Sequence, residues 1–245
     1  MARNIKLVLE YDGTAYHGWQ RQRGQATIQA QVEDVLRMVS GERVSLIGAG
    51  RTDAGVHALG QVANFRTRSR LTAADFQRAL NGLLPADIIV LEAEEAPEGF
   101  HARFGARAKR YEYRILNREL PQAVGRAYHW HLRGRLSLAR VRRCLALVRG
   151  RHDFSSFRST GSSAKSPVRH MFECGARREG DLVTLWFEAD GFLRKMVRSL
   201  VATLVEVGQG RLGPEEFGMI LAARDRARAA ATAPPQGLFL SRVYY

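Results

Sequence analysis

The chain of 245 residues contains only two cysteines, Cys144 and Cys174, which are far apart in the sequence. Without a CxxC pair, neither a structural zinc site nor a disulfide framework is favoured, and we expect a reducing, cytoplasmic environment. The seven histidines form no HExxH motif and no Cys/His spacing, so we expect no metal site. No GxxxxGK[ST] loop is present and no GxGxxG opens a helix after a strand, so the sequence indicates no cofactor.

Long apolar runs are also absent. The first ten residues alternate in polarity and lack the continuous apolar segment of a signal peptide. The most apolar helix candidate, residues 191–207, contains Arg194, Lys195 and Arg198, so no stretch is expected to span a bilayer. We therefore expect no membrane partner.

Acidic residues and lysines are scarce compared with arginine. The 38 basic residues outnumber the 24 acidic ones, which gives a formal net charge of +14, and 34 of the basic residues are Arg. An excess of this size indicates a polyanionic partner, and Arg, which binds phosphate through a planar fork and stacks on bases, favours RNA. A genomic bias towards Arg codons would produce the same composition.

The first half of the chain shows the periodicity of a β-α-β-β-α-β unit. A helix is predicted from the N-cap Thr27 to the stop at Gly41. A second helix is predicted from Thr72, where Asp75 completes an acidic variant of the capping box, to Pro85. The predicted strands cover residues 5–11, 44–47, 61–66 and 88–93.

The second half repeats this order with additions. Ser137 is predicted to cap a helix, and a hairpin is predicted to turn at Glu179 and Gly180. A long loop rich in Ser and Arg is predicted over residues 152–167. The other predicted helices cover residues 192–207 and 214–224. The predicted strands cover residues 110–116, 127–132, 168–177, 182–188 and 238–244.

These patterns predict an α+β protein made of two ferredoxin-like halves, with mostly antiparallel sheets and a central cleft. The N-terminal half is expected at residues 1–105 and the C-terminal half at residues 106–245. The two halves share an order of elements but no obvious sequence repeat.

The segment Gly48–Ala58, GAGRTDAGVHA, contains three glycines that bracket Arg51, Thr52 and Asp53. Glycines at this density permit a positive φ or a close approach of the backbone to another group. In an extended backbone Arg51 and Asp53 project to the same side, and the guanidinium favours the ionised carboxylate. This arrangement suits a nucleophile or a base. A tight turn with a surface ion pair explains the segment equally well.

A second candidate segment, residues 103–111, interleaves basic and aromatic side chains, which suits phosphate contacts and base stacking. On a strand, Tyr111 and Tyr113 share one face, whereas Arg110 and Glu112 share the other. A strand with one core face and one solvated face explains the same pattern. The candidate substrate-binding residues of this segment are Arg103, Lys109, Arg110 and Tyr111.

Arg194 and Arg198 lie four residues apart on the predicted helix at residues 192–207. The two would share one helix face, which a solvated stripe would explain. Because the rest of this helix is strongly apolar, the basic pair is also a candidate for the site.

GAGRTDAGVHA resembles the catalytic motif of the tRNA pseudouridine synthase A (TruA) family. Six further motifs, in sequence order, resemble that family over most of the chain. They are YDGTAYHGWQRQ at residues 11–22, FHAR at 100–103, KRYEYRI at 109–115, HDFSSF at 152–157, GFLRKMVR at 191–198 and APPQGLFL at 233–240.

The resemblance implies the pseudouridine synthase fold and an isomerase that converts uridine to pseudouridine at positions 38 to 40, in the anticodon stem-loop of tRNA. It implies that Asp53 is the nucleophile, that Arg198 pairs with Asp53, and that Arg51 helps to hold the displaced nucleotide. Tyr111 is expected to contact the target base, and Leu240 to pack against it. The family also implies a homodimer that needs neither metal nor cofactor.

Two other functions remain open at this point. A non-catalytic RNA-binding protein of the RRM type also has ferredoxin-like units with basic surfaces, although the RNP1 pattern is absent here. A cofactor-free hydrolase of a small phosphorylated substrate is the third reading. The RRM-type alternative assigns no task to the GRTDAG segment.

Overall fold

The structure is a computed structural model that describes residues 2–161 and 164–245. The strands are β1 Arg3–Tyr11, β2 Ile47–Gly48, β3 His57–Thr67, β4 Ile88–Ala96, β5 Ala108–Asn117, β6 Trp130–Leu132, β7 Gly150–Asp153, β8 Val168–Glu179, β9 Leu182–Ala189 and β10 Leu238–Tyr244. The helices are α1 Ile28–Ser40, α2 Ala73–Leu83, α3 Leu138–Val148, α4 Met196–Gly208 and α5 Pro214–Ala223. Short 3-10 turns cover Arg126–Tyr128, Ser155–Phe157, Arg226–Arg228 and Pro235–Gly237.

The chain forms two compact units. Unit 1 comprises Met1–Arg107 together with Phe239–Tyr245, and unit 2 comprises Ala108–Leu238. Most of β10 therefore belongs with the first unit, whereas the division predicted from the sequence placed residues 106–245 together. The predicted α+β class with mostly antiparallel pairing is confirmed.

In unit 1, β1 pairs antiparallel with both β3 and β4. The other edge of β3 is shared by two strands. β2 pairs with it antiparallel at Ala63 and Asn64, and β10 pairs with it in parallel at His57 and Ala58. The segment that connects β2 to β3 therefore runs back along the same edge of β3, between these two pairings.

The two helices of unit 1 begin and end where the sequence predicts. The side chain of Thr27 accepts a hydrogen bond from the backbone of the first turn of α1, and Gly41 ends the helix with a φ of 71°. Thr72 and Asp75 form a reciprocal capping box at the start of α2. The buried residues of the two helices are Ile28, Val32, Val35, Leu36, Phe76 and Leu80.

In unit 2, β5, β9, β8 and β7 form an antiparallel sheet, and β6 pairs in parallel with β5. The side chain of Ser137 caps α3, as predicted. α4 is buried along nearly its whole length. In the described part of the chain, no helix is both long enough and apolar enough to cross a membrane.

Two predicted strands, one in each unit, are shorter in the structure than the sequence predicts. The strand predicted at residues 44–47 is limited to Ile47–Gly48, since the amide of Leu46 donates to Glu33 and its carbonyl accepts from Gln29, both on α1. The strand predicted at residues 127–132 is limited to Trp130–Leu132, because a 3-10 turn precedes it.

The helix predicted at residues 192–207 begins only at Met196. Lys195 adopts a left-handed conformation with a φ of 60°, and the carbonyl of Arg194 accepts from the amide of Ser159. Arg194 therefore precedes α4, and the prediction that Arg194 and Arg198 share a helix face is wrong.

The loop predicted at residues 152–167 begins with ordered structure. His152 and Asp153 end β7, which pairs with β8, and the 3-10 turn at Ser155–Phe157 follows. Phe154 and Phe157 are fully buried, so the HDFSSF segment contributes to the core of unit 2. Residues 162 and 163 of the predicted loop lie outside the described residues.

Candidate functional site

The glycine-rich segment that contains Asp53 starts as an extension of β2 along β3. The amide of Ala49 donates to the carbonyl of Val62 at 2.7 Å. The side chain of Gln61, which is fully buried, then takes over the pairing, because its Nε2 donates to the carbonyl of Gly50 at 2.7 Å. The backbone enters the candidate site held by β3 on one side.

Thr52 anchors the middle of the segment. Its carbonyl accepts from the amide of Trp19 at 3.0 Å, and its hydroxyl lies 2.8 Å from the hydroxyl of Tyr11. Thr52, Tyr11 and Trp19 are all buried, and burial raises the pKa of Tyr11 above its ordinary value. A neutral Tyr11 therefore remains a hydrogen-bonding partner of Thr52 throughout the physiological pH range.

Close approaches to three glycines, two by backbone and one by an indole ring, fix the rest of the segment. A Cβ on Gly18 would lie 2.5 Å from the carbonyl oxygen of Thr52, and a Cβ on Gly13 would lie 2.1 Å from that of Val56. The indole ring of Trp19 lies so close to Gly48 that a Cβ there would be 2.5 Å from the ring. The first loop of the chain, residues 12–25, thus encloses the segment that carries Asp53.

Exposure alternates along the three central residues. Arg51 is exposed, Thr52 is buried and Asp53 is half-buried. A turn closes directly afterwards, where the amide of Val56 donates to the carbonyl of Asp53 at 3.1 Å. Hydrogen bonds therefore fix the backbone at Thr52, just before Asp53, and at the turn that follows Asp53.

Leu240 lies at the same end of β3 as this turn. It is fully buried on β10 and pairs with Ala58, five residues after Asp53. The preceding residue, Phe239, pairs with His57, and their rings stack with centroids 4.7 Å apart. Unit 1 thus brings Asp53 and Leu240 to one end of its sheet.

The remaining predicted site residues, apart from Arg103, belong to unit 2. Tyr111 is buried on β5, and its ring meets the ring of Phe192 edge to face with centroids 5.0 Å apart. Tyr113 lies on the same face of β5 and is fully buried. Its ring meets Trp130 in the same edge-on manner at 6.3 Å.

Arg198 lies in the first turn of α4 and is half-buried. Its Nε donates to the carbonyl of Ala233 at 2.7 Å. The adjacent carbonyl of Pro234 accepts from the hydroxyl of Tyr113 at 2.7 Å. Burial raises the pKa of Tyr113, and the positive charge of Arg198 partly opposes this effect. The guanidinium of Arg198 is therefore close enough to Tyr113 to influence the ionisation of its hydroxyl.

The three basic residues predicted to bind phosphate have different surroundings. Arg110 lies 3.7 to 4.0 Å from three carboxylates and over the ring of Trp186. Lys109 is half-buried on β5, and Arg103 is exposed on a loop of unit 1. The carboxylates around Arg110 belong to Glu112, Glu173 and Glu188. For Arg110, an ion-pair network within unit 2 competes with the role of phosphate ligand.

The sequence did not identify the residues that support Asp53, namely Tyr11, Gly18 and Trp19. All three lie in the motif YDGTAYHGWQRQ at residues 11–22, whose resemblance to the family was their signal in the sequence, although it did not indicate a contact with the Asp53 segment. Among residues 2–161 and 164–245, no group of three or more His, Cys, Asp or Glu side chains is placed to hold a metal ion. Asp53 presents a half-buried carboxylate on a turn closed by the hydrogen bond from the amide of Val56.

The chain is similar over nearly its whole length to known tRNA pseudouridine synthases. A family model described as tRNA pseudouridine synthase matches residues 7–105 and 145–245. The tRNA pseudouridine synthase A of Acetivibrio thermocellus is 47% identical over 243 residues, which cover 99% of this chain and 100% of the relative. That of Thermoanaerobacter sp. (strain X514) is 44% identical with the same coverage. That of Citrifermentans bemidjiense is 45% identical over 244 residues, covering 99% of this chain and 98% of the relative.

Proposed function

Because the chain belongs to the tRNA pseudouridine synthase A family of isomerases, we propose that Asp53 is its nucleophile and that the target uridines lie at positions 38 to 40 of tRNA. The observation that carries the assignment of Asp53 is the support of its turn. Gln61, Tyr11 and Trp19 hold the residues before Asp53 through Gly50 and Thr52, and the hydrogen bond from the amide of Val56 to the carbonyl of Asp53 closes the turn after it. Asp53 itself is only half-buried. Such a support keeps a reacting group in place without covering it.

Formation of pseudouridine is a rearrangement within one nucleotide. The bond from N1 of uracil to C1′ of ribose breaks, the base rotates, and a bond from C5 to C1′ forms. C5 then loses a proton and N1 gains one, so no atom is added or lost. A carboxylate can serve this reaction by attacking C1′ or by removing a proton from the ribose, and Asp53 is suited to either step.

A uridine within a stem must leave the stack before its glycosidic bond is accessible, which costs a few kcal/mol. In our proposal Tyr111 contacts the extruded base and Leu240 packs against it. Arg51 helps to hold the displaced nucleotide, and Arg198 pairs with Asp53. Phosphate contacts are assigned to Arg103, Lys109 and Arg110.

The proposal includes a homodimer that acts in the cytoplasm. Both cysteines of the chain are free and buried, which suits a reducing compartment. The matches to two of the relatives named tRNA pseudouridine synthase A cover 100% of each relative, which favours catalysis over the non-catalytic RNA-binding alternative.

The proposed nucleophile is tested with Asp53→Asn, which preserves size but removes the negative charge. We expect tritium release from tRNA labelled at C5 of uridine to fall by at least about three orders of magnitude. We expect the Kd for unmodified tRNA to be nearly unchanged. Asp34→Asn, in an exposed ion pair on α1, is the matched control and should keep full activity.

Substantial turnover by Asp53→Asn would remove Asp53 from the mechanism. Mapping of pseudouridines in unmodified tRNA after incubation tests the position independently. Pseudouridine found only outside positions 38 to 40 would contradict the anticodon stem-loop assignment. Binding of tRNA without any tritium release would instead support the non-catalytic alternative.

A further inference from the structure

The loop from Pro97 to Gly105 presents the ring of Phe104 to solvent. Phe104 is 76% exposed. Single exposed apolar residues are common on protein surfaces, so exposure alone indicates nothing. The surroundings of this ring and the support of its loop are what distinguish it.

Two polar side chains are arranged around Phe104. The ring of His101 lies at a centroid distance of 4.5 Å, and the guanidinium carbon of Arg103 lies 5.4 Å from the ring centre. Nδ1 of His101 accepts from the amides of Arg103 and Phe104 at 3.1 and 3.2 Å, so the imidazole also fixes the local backbone. An aromatic ring is thus held beside a positive charge.

Buried asparagines on the neighbouring strands hold this loop. The side chain of Asn4, on β1, donates to the carbonyls of Pro97 and Phe100 at 3.1 and 2.9 Å. The side chain of Asn64, on β3, accepts from the amide of Ala102 at 2.9 Å and donates to Asn4 at 2.9 Å. Both asparagines are almost fully buried. A satisfied buried polar network of this kind gives the loop a single conformation.

The C-terminal residue adds a third support. The hydroxyl of Tyr245 donates to the carbonyl of Ala102 at 2.7 Å, and its ring packs on Phe100 with centroids 4.9 Å apart. The ammonium group of Lys6 lies over both rings, at 5.7 Å from Tyr245 and 5.8 Å from Phe100. Because the loop is ordered in advance, a partner that contacts Phe104 pays little ordering entropy.

This loop is remote from the Asp53 turn. Leu240 marks the end of β10 near that turn, because it pairs with Ala58. Five residues further, Tyr245 contacts the loop at Ala102. At about 3.3 Å per residue along a strand, the two ends are separated by roughly 16 Å. A ligand at Phe104 therefore does not occupy the reaction centre.

We propose that Phe104, with Arg103 and His101, forms a stacking platform for an unpaired base of the tRNA, separate from the base that reacts. The proposal rests on the proposed function only in taking tRNA as the ligand. A partner for this platform must combine negative charge with flat aromatic faces, since Arg103 supplies the charge and Phe104 the ring. Nucleic acid has both properties. A second copy of the chain is the alternative occupant, and the oligomeric state of the variants tests it below.

The experiment measures the Kd for unmodified tRNA and kcat/KM for three substitutions of one residue. Phe104→Ala removes the ring, Phe104→Leu keeps an apolar side chain without a flat face, and Phe104→Trp keeps the flat face. We expect Ala and Leu to weaken binding by about 5- to 150-fold and Trp to bind as the native protein does.

Phe172 provides the matched control. It is a partly exposed phenylalanine of unit 2 whose ring lies 4.7 Å from the ring of His170. Phe172→Ala should leave both the Kd and kcat/KM unchanged. An equal loss in Phe172→Ala and Phe104→Ala would show a general effect of exposed aromatic side chains and would overturn the platform.

The oligomeric state is measured for each variant by sedimentation. A change of oligomeric state in Phe104→Ala would make Phe104 a contact between protein copies and would overturn the proposal. A loss confined to kcat, or full affinity in Phe104→Leu, would also overturn it.

The proposed reaction and the Phe104 platform can fail independently. If the native protein forms no pseudouridine at positions 38 to 40 but Phe104→Ala still weakens tRNA binding, the proposed reaction fails and the platform stands. If pseudouridine forms there and Phe104→Ala binds tRNA with native affinity, the platform fails and the proposed reaction stands.

Discussion

Arg198 and Ala233 are joined by two hydrogen bonds in opposite directions. Nε of Arg198 donates to the carbonyl of Ala233 at 2.7 Å, and the amide of Ala233 donates to the carbonyl of Arg198 at 3.1 Å. Pro234, the next residue, accepts from Tyr113 at 2.7 Å, and a Cβ on Gly237 would lie 2.8 Å from the ring of Tyr113. Residues 233–237 therefore connect α4 to β5 and orient the guanidinium of Arg198.

Tyr113→Phe tests whether this connection matters for activity. The substitution removes the hydrogen bond to the carbonyl of the half-buried Pro234, which should lower the free energy of unfolding by about 0.5 to 1.5 kcal/mol. Because the same segment orients Arg198, we also expect a lower single-turnover rate at saturating tRNA. Urea unfolding and rapid-quench kinetics measure the two effects separately.

A double-mutant cycle tests whether Tyr113 affects the rate through Arg198. Arg198→Lys keeps the charge but loses the planar fork, so its effect on the rate should be non-additive with that of Tyr113→Phe, by more than about 0.5 kcal/mol. Arg194→Lys, which lies just before α4, should be additive. Additive effects of Arg198→Lys and Tyr113→Phe would show that Tyr113 does not position Arg198.

Gly18 and Gly24 offer a paired test of the loop that encloses Asp53. Both have a positive φ, of 88° and 74°, but a Cβ at Gly18 would lie 2.5 Å from the carbonyl oxygen of Thr52, whereas a Cβ at Gly24 has no neighbour within 4 Å. Gly24→Ala should therefore cost only the backbone strain, about 1 to 2 kcal/mol. Gly18→Ala should cost clearly more, and tritium release should fall, because the carbonyl of Thr52 has to move.

Urea unfolding of both variants measures this difference. Equal losses of stability would show that the backbone of Thr52 relaxes freely. In that case the close approach at Gly18 would not hold the turn of Asp53.

His129 is expected to contribute to the pH dependence of the free energy of unfolding. Burial lowers the pKa of His129 below its ordinary value of 6.5, and the nearby charges of His131 and Arg118 add to the effect. The unfolded chain therefore takes up a proton at a higher pH than the folded protein does. The free energy of unfolding should decrease as the pH falls below about 6.5 towards the pKa of the folded state.

The test compares slopes rather than absolute stabilities. Urea unfolding at several pH values between 8 and 5 should give a shallower decrease for His129→Gln than for the native protein. His17→Gln, at an exposed position, is the control and should keep the native slope. A native slope in His129→Gln would show that this histidine does not contribute.

Local chemistry made much of the fold predictable. The caps at Thr27, Gly41 and Ser137 and the capping box of Thr72 with Asp75 depend on residues within one turn of a helix end. The start of α4 was predicted wrongly, because the left-handed Lys195 is set by the contact of the preceding residue with Ser159, which is distant in the sequence.

The candidate site was likewise predictable where it depends on consecutive residues and unpredictable where it depends on distant ones. Three glycines around one carboxylate, and their resemblance to a known motif, were sufficient to select Asp53, since both properties are contained in a few consecutive residues. The support of Asp53 by Tyr11 and Trp19, and the position of Leu240 beside Ala58, follow from strand pairing and burial. Such contacts join residues that are far apart in the chain, and a pattern of neighbouring residues contains no record of them. The sequence by itself therefore determined the chemical group and most element boundaries, whereas only the tertiary structure decided what holds that group in place.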